Sequence, residues 1–309
     1  MTRPAVLVLR ALGLGDFLTG VPAYRALRAA HPDHEMVLAA PPVLAPVVEL
    51  CGAFDRLSPT GELEPVDWPG PSPDVGVDLH GNGPASHDLV TATGARRLLM
   101  YGDGGPAWDD DEHEVHRWCR LLEWWGLPTD PTALRLSPPV VPAPVDDAVI
   151  VHPGAAAGSR RWPPGRFAAV AERLASAGER VVLTGTPRER PLAEEVAARA
   201  GLPAASVLAG RTGLAELAAL VSRARLVVSN DTGVAHLGFA YARPSVTLYG
   251  PVSPALWGPP RGVRRHVVLW HGDGGRPGDA WGSAPDPRLL DITVEEVMDA
   301  SRAALRQPT

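Results

Sequence analysis

The sequence predicts an α/β protein made of two doubly wound, Rossmann-like domains. Three observations predict it. Short, continuous apolar runs alternate with longer amphipathic segments. A proline-dense stretch, "LSPPVVPAPVDD" at residues 136–147, interrupts that alternation. The alternation then restarts and runs almost to the last residue. Apolar runs of this kind suit strands buried on both faces of a parallel sheet. Strand and helix in alternation build such sheets through right-handed crossovers.

In the first half, "AVLVLR" (5–10) reads as a strand, followed by "LGLGDFLTG" and a helical pattern over 21–30. "EMVLAA" (35–40) is the next strand, and "VLAPVVELCG" a helix closed by Gly52. "DVGVDLHG" (74–81) is a strand running into a polar turn, and "RRLLMYG" (96–102) another strand. "DEHEVHRWCRLLEWWGLP" is an amphipathic helix with an acidic first turn and a stop at Gly126. The prolines make a stiff linker at about 137–147. They separate a first domain, 1–140, from a second, 148–309.

The second half repeats the scheme. "AVIVHPG", "RVVLTG", "SVLAG", "RLVVSN" and "SVTLYG" read as strands. "PGRFAAVAERLASAG", "RPLAEEVAARAG", "GLAELAALVSRA" and "GVAHLGFAYA" read as the helices among them. "TVEEVMDASRAALRQ" is a final helix, one that can pack back on the first domain. Ligands in doubly wound sheets bind beyond the carboxyl ends of the strands, and two such domains face a central cleft.

Bulk properties narrow the function. The chain has 309 residues, 45% hydrophobic and 21% charged, as expected of an ordinary globular protein. Its net charge of −6 argues against nucleic acid as a partner. The two cysteines, Cys51 and Cys119, lie in no ligand spacing. Neither a zinc site nor a disulfide framework is expected, which fits a cytoplasmic protein. "AVLVL" is too short for a signal peptide, and no apolar stretch is long enough for a membrane span.

Four constellations carry candidate chemistry. In "SNDTGVAHLG", Asp231 and Thr232 stand where a strand turns into a helix, with Gly233 and His236 just beyond. Either side chain can cap the helix. Alternatively the free N–H groups of the first turn hold an anion, which Gly233 lets approach and toward which His236 leans back. In "VHPGAAAGSRRWPPG", Gly154 and small residues precede Ser159, Arg160 and Arg161. Paired arginines suit a diphosphate, or else pack on Trp162. In "LTGTPRERP", Glu189 can accept from ribose hydroxyls or simply open a helix. "LRALGLGDFLTG" departs from the dinucleotide fingerprint because Leu18 holds the third glycine position. Gly13 and Gly15 instead present Asp16, a general base or an N-cap. Two further stretches carry no assigned chemistry: "DDDE" (109–112), read as an acidic helix start, and "WHGDGGRPGDAWG" (270–282), read as a mobile loop.

Taken together, "HPGAAAGSRRWPPGRFAAVAERL", "LTGTPRERPLAEEV", "LVVSNDTGVAHLGFAYARPSVTLYGP" and "ITVEEV" resemble glycosyltransferase family 9, the ADP-heptose:lipopolysaccharide heptosyltransferases. The opening "LVLRALGLGDFLTGVPAYRALRAAHP" is similar to that family's N-terminus, so the resemblance spans nearly the whole chain. Its most specific part is Asp231, Thr232, Gly233 and His236 in D-[ST]-G-x-x-H spacing. The resemblance implies a GT-B fold with the nucleotide sugar on the C-terminal domain and the acceptor on the N-terminal one. It implies inversion without a metal or any other cofactor. Asp16 matches the family's catalytic carboxylate, and Glu189 its nucleotide-contacting glutamate. Arg160 stands where the family usually has Lys, keeping the charge and changing the geometry. Gly154, Ser159 and Arg161 complete the donor side, and Gly13, Gly15 and His80 lie on the acceptor side.

There are departures as well. Ala155, Ala156 and Ala157 stand where the family often offers hydroxyls to the phosphates. The segments "HGNGPASHDL" and "GDGGPAWDDDEHEVH" fit the family only loosely, so the acceptor need not be lipopolysaccharide. The expected partners are an ADP-linked sugar donor and a saccharide or other hydroxyl acceptor, with peripheral membrane association if that acceptor is lipid-linked. Two other readings use the same scaffold: a nucleotide-sugar epimerase and a non-catalytic nucleotide-binding module.

Overall fold

β1 (Ala5–Leu9) is buried along its whole length, as its unbroken apolar sequence requires. The structure, a computed structural model, describes residues 3–102, 104–274 and 278–307. The chain divides into two compact units, Met1–Ser137 and Pro138–Thr309.

In the first unit α1 (Leu14–Thr19) and α2 (Val21–Ala30) follow β1, then β2 (Glu35–Ala40), α3 (Ala45–Cys51) and β3 (Arg56–Pro59). β4 (Val75–Asp78), α4 (Pro84–Thr91), β5 (Arg97–Leu99) and α5 (Glu114–Trp124) complete it. Gly52 ends α3 at φ 68°, a left-handed cap that suits glycine. The sheet order is β3-β2-β1-β4-β5, every pairing parallel. Leu7, Leu9, Val37, Ala39 and Val90 form a core cluster against it.

The second unit runs β6 (Val149–His152), α6 (Pro164–Ser176), β7 (Val181–Leu183), α7 (Arg190–Arg199), α8 (Leu214–Ser222) and β8 (Leu226–Asn230). α9 (Gly233–Ala240), β9 (Ser245–Leu248), α10 (Pro254–Trp257), β10 (His266–Leu269), α11 (Pro287–Asp291) and α12 (Val294–Leu305) follow. Its sheet order is β10-β9-β8-β6-β7, again parallel. α12 packs on α6 and on β8, β9 and β10 of its own unit.

The α/β alternation is as expected. The two units nevertheless use different doubly wound orders. The first follows the 3-2-1-4-5 arrangement and the second 2-1-3-4-5, counting strands within each unit. Some elements differ from the sequence reading. "SVLAG" contributes only an isolated bridge, Val207 to Leu183. β3, α4 and β10 are additional; the first and last are edge strands of four residues with half-buried positions.

Candidate functional site

In the second unit the chain leaves β6 toward β7 on one side, and β8 leads to β9 and β10 on the other. β6 and β8 therefore flank the switch point, where ligands bind doubly wound sheets. Asn230 ends β8 there. Its Nδ2 donates to the carbonyls of Pro153 (2.9 Å) and Gly154 (3.2 Å), and its Oδ1 accepts from the Trp162 N–H at 3.0 Å. One buried amide thus fixes both ends of the loop that follows β6.

Arg160, on that loop, reaches across to Asp231. Its Nη2 lies 2.5 Å from Asp231 Oδ2 and 3.0 Å from the Asp231 carbonyl. Burial pushes the Asp231 carboxyl above the usual range, and the Arg160 guanidinium opposes that push. Arg160 Nε and Ser159 Oγ are buried with no hydrogen-bond partner. Thr232 is the N-cap residue of α9, yet its own side chain makes no capping hydrogen bond. The Ala235 N–H donates to the Thr232 carbonyl at 2.9 Å, and those of Gly233 and Val234, ahead of it, carry partial positive charge toward an acceptor. His236, one turn into α9, is buried with its ring against Phe239 (5.4 Å) and Trp257 (6.1 Å).

Arg161 turns the other way. Its Nε (3.0 Å) and Nη2 (2.8 Å) donate to the Ala155 carbonyl, bracing the loop from within. Glu189 Oε2 accepts from the Thr186 N–H at 2.8 Å and its hydroxyl at 2.9 Å, at the start of a helical turn before α7. Its other oxygen lies against Gly154: a Cβ there would come within 2.1 Å of Glu189 Oε1. Glycine at 154 is what lets the carboxylate approach the loop. His152 Nδ1 lies 3.0 Å from Thr184 Oγ1, and burial holds its pKa below the usual value, against the pull of Glu189.

The first unit has its switch point between β1 and β4. Arg10 follows β1 there and is fully buried. It donates to the carbonyls of Leu79 and, at 3.0 Å, Asp16, to Glu114 Oε1 at 2.9 Å and to Thr19 Oγ1 at 3.3 Å. Its guanidinium sits 4.5 Å from the Trp118 ring centroid. Glu114 also accepts from Trp118 Nε1 (2.8 Å) and Arg117 Nε (3.1 Å). Burial works to raise its pKa, but Arg10 and these donors together hold it below the usual range. Asp16 is partly exposed. Its Oδ2 accepts from the Gly13 N–H at 3.2 Å, and its Oδ1 is 3.9 Å from Arg10 Nη2. Gly15 sits in the first turn of α1 beside it. His80 Nδ1 accepts from the Ala11 N–H at 3.2 Å, so the ring proton rests on Nε2. Burial, helped by Arg10, holds its pKa below the usual value.

A model of glycosyltransferase family 9 (heptosyltransferase) matches residues 105–273, more than half of the chain. The chain belongs to glycosyltransferase family 9. Among curated relatives, lipooligosaccharide heptosyltransferase 2 of Haemophilus influenzae is 36% identical over 155 residues, 48% of this chain and 44% of that protein. Lipopolysaccharide heptosyltransferase 2 of Escherichia coli K12 is 34% identical over 160 residues, 50% of this chain and 46% of that protein. The chain matches just under half the length of these relatives. Among solved structures, E. coli ADP-heptose LPS heptosyltransferase II superposes with a TM-score of 0.79 at 22% identity, covering 97% of this chain and 98% of that one. An E. coli heptosyltransferase solved with ADP gives 0.69 at 20% identity, covering 96% and 98%. These likenesses show the GT-B fold.

For this family 9 member, the structure gathers Gly154, Ser159, Arg160, Glu189, Asp231, Thr232 and Gly233 at one sheet end. Arg161 is committed to Ala155, and His236 to an aromatic cluster. Asn230, Arg10 and Glu114 were not read from the sequence as site residues. Two signals were available: an arginine closing an otherwise apolar strand, and a glutamate on the apolar side of a helix. The "DDDE" stretch precedes α5 and lies outside it, and Glu112 pairs with Arg120 at 2.7 Å. Among the described residues no group of three His, Cys, Asp or Glu is placed to hold a metal ion. Nor is any described helix long and apolar enough to cross a membrane.

Proposed function

We propose that this protein is an inverting, metal-independent glycosyltransferase that moves a heptose, or a related sugar, from an ADP-sugar to an acceptor hydroxyl. The observation that carries this reading is the start of α9. Thr232, its N-cap residue, makes no side-chain capping hydrogen bond, and Asp231 is spent on Arg160. A helix start without a cap from its N-cap side chain, beside a partly buried guanidinium whose buried Nε is unpartnered, suits a diphosphate. Family membership and the relatives named for heptose transfer support the sugar, and a neighbour solved with ADP supports the nucleotide.

In this reading the second unit, 148–309, holds the donor. Gly154 and Glu189 face the ribose, and Arg160 with the first turn of α9 meets the diphosphate. The first unit, 1–140, acts on the acceptor. Asp16 takes the proton of the acceptor hydroxyl, whose oxygen attacks the anomeric carbon from the face opposite the diphosphate, and the diphosphate leaves. Negative charge grows on the leaving group, so fixed donors aimed at it lower the barrier. His80 lies beside Asp16 on the acceptor side. The enzyme needs no cofactor in this scheme and works in the cytoplasm, at the membrane surface if its acceptor is lipid-linked.

Thermal stabilisation by ADP, UDP, GDP and dTDP tests the donor. A ligand at about 100 times its Kd stabilises the folded state by about 2.7 kcal/mol. ADP is expected to give the largest shift, and no shift with any nucleotide would sink the reading. Asp16→Asn is expected to lower turnover by ~10²–10⁴-fold while keeping the ADP shift. Near-normal turnover in that variant would remove Asp16 as the base.

A further inference from the structure

The segment after β10 is the part of the second unit that the proposed function leaves unused. Residues 278–286 form a strap across the carboxyl ends of the strands. Gly278 N–H donates to the Pro251 carbonyl at 3.0 Å, just past β9. Ser159 N–H donates to the Gly282 carbonyl at 2.8 Å, and Asp286 N–H donates back to the Ser159 carbonyl at 3.1 Å. The strap therefore takes both backbone groups of Ser159. Contact is close enough that a Cβ on Gly158 would meet the Ser283 carbonyl oxygen at 1.9 Å, and one on Gly282 would lie 3.3 Å from Ser159 Cβ. The expected mobile loop is, over 278–282, a tied one; residues 275–277 of that stretch lie outside the described residues.

Trp281 is the residue before Gly282. Its N–H donates to Asp279 Oδ1 at 2.9 Å, so its backbone is held. Its side chain is nevertheless 78% exposed. Trp281 thus offers an open indole face from a backbone that is already fixed. Within two residues of its anchor point lie Ser159 Oγ and Arg160 Nε, both buried and without a partner.

We propose that Trp281 is the platform for the donor's sugar ring, the C–H face of the sugar resting on the indole. The proposal rests on the reading of the second unit as the donor site. Ser159 and Arg160 lie where the diphosphate is placed, and the transferred sugar is bonded directly to that diphosphate. Trp281 adjoins Gly282, whose carbonyl takes the Ser159 N–H, so its open indole is carried on the segment tied to that end of the site, where the sugar follows the diphosphate. The electron-rich face of an aromatic ring attracts the slightly positive C–H hydrogens of a sugar, while the sugar's hydroxyls stay in water. A tied backbone leaves less conformational freedom to lose on binding.

The test compares ADP with ADP-heptose by calorimetry on the full chain. Wild type is expected to bind ADP-heptose more tightly than ADP. Trp281→Ala is expected to weaken ADP-heptose binding about 3- to 10-fold and to leave ADP within about twofold, so the gain from the sugar disappears. Trp281→Phe is expected to keep most of that gain. An exposed side chain leaves folding intact, which an unchanged unliganded Tm will verify. The proposal is overturned if Trp281→Ala keeps the full gain, if ADP weakens as much as ADP-heptose, or if wild type gains nothing from the sugar. Wild type that binds neither ligand overturns the donor-site reading itself, a result distinct from these.

Discussion

Asn230 joins three segments of the second unit through one side-chain amide. Two donors and one acceptor meet Pro153, Gly154 and Trp162 in a buried setting, so removing the amide strands polar backbone groups away from water. Each such group costs about 1–3 kcal/mol. Asn230→Ala is therefore expected to destabilise the fold by about 3 kcal/mol or more in denaturant titration and to weaken nucleotide binding as the loop loosens. Asn230 carried no signal in the sequence because its partners lie far away along the chain. Asp231, Thr232 and Gly233 were legible because a helix start concentrates its chemistry locally. Gly154 was legible only as a turn glycine on the donor side; that it makes room for the Glu189 carboxylate was not. Arg161 shows the limit from the other side: adjacent arginines look alike in sequence, while the backbone sends one to Asp231 and the other to Ala155.

At the scale of elements, β1 and α5 are joined by a buried charge pair. Arg10 closes the strand, and Glu114 opens the helix. Breaking such a pair by removing one partner costs about 3–5 kcal/mol, because the other charge stays buried. Glu114→Gln is expected to fall at the lower end of that range, since its amide can still accept from Arg10 or Trp118. Glu114→Leu is expected at the upper end, both read by urea titration. The sequence reading saw an acidic first turn and stopped at the helix dipole. The second role needed the partner strand. β10 offers a pH test. His266 is buried, 2.9 Å from Ser245 Oγ, and burial, with Arg265 adding, pushes its pKa down to about 4. In the unfolded chain it titrates near 6.5, so below that pH the unfolded state binds a proton that the folded state refuses. Stability that is present above pH ~6.5 is lost as pH falls toward ~4. Between about pH 7.5 and about pH 5.5, His266→Asn is expected to lose about 1 kcal/mol less stability than wild type. Equal losses in the two proteins would show that His266 does not contribute. β10 itself was missed because a four-residue edge strand with three half-buried positions has no long apolar run to announce it.

For the whole molecule, the alternation of strand and helix and the proline break made two doubly wound units legible. Strand order was not legible, because the periodicity of a buried strand is the same wherever the strand lies in the sheet. The two orders seen here place one switch point beside Arg10 and Asp78 and the other beside His152 and Asn230. Both ends of β6 and β8 that carry candidate residues belong to the second unit. Hydrogen exchange with and without ADP is expected to show added protection in 152–162 and 230–236. Stabilisation by ADP without protection in these segments would mean that the nucleotide binds elsewhere.

The contact between Gly158 and Ser283 has a consequence for building chimaeras. The loop after β6 and the strap before α11 are separate in the chain but share one surface, with no room for a Cβ on Gly158. A loop transplanted from another family member with any other residue at that position would push the strap away. Exchanging this loop between family members will therefore require moving both segments together, as a single cassette encoded in two places.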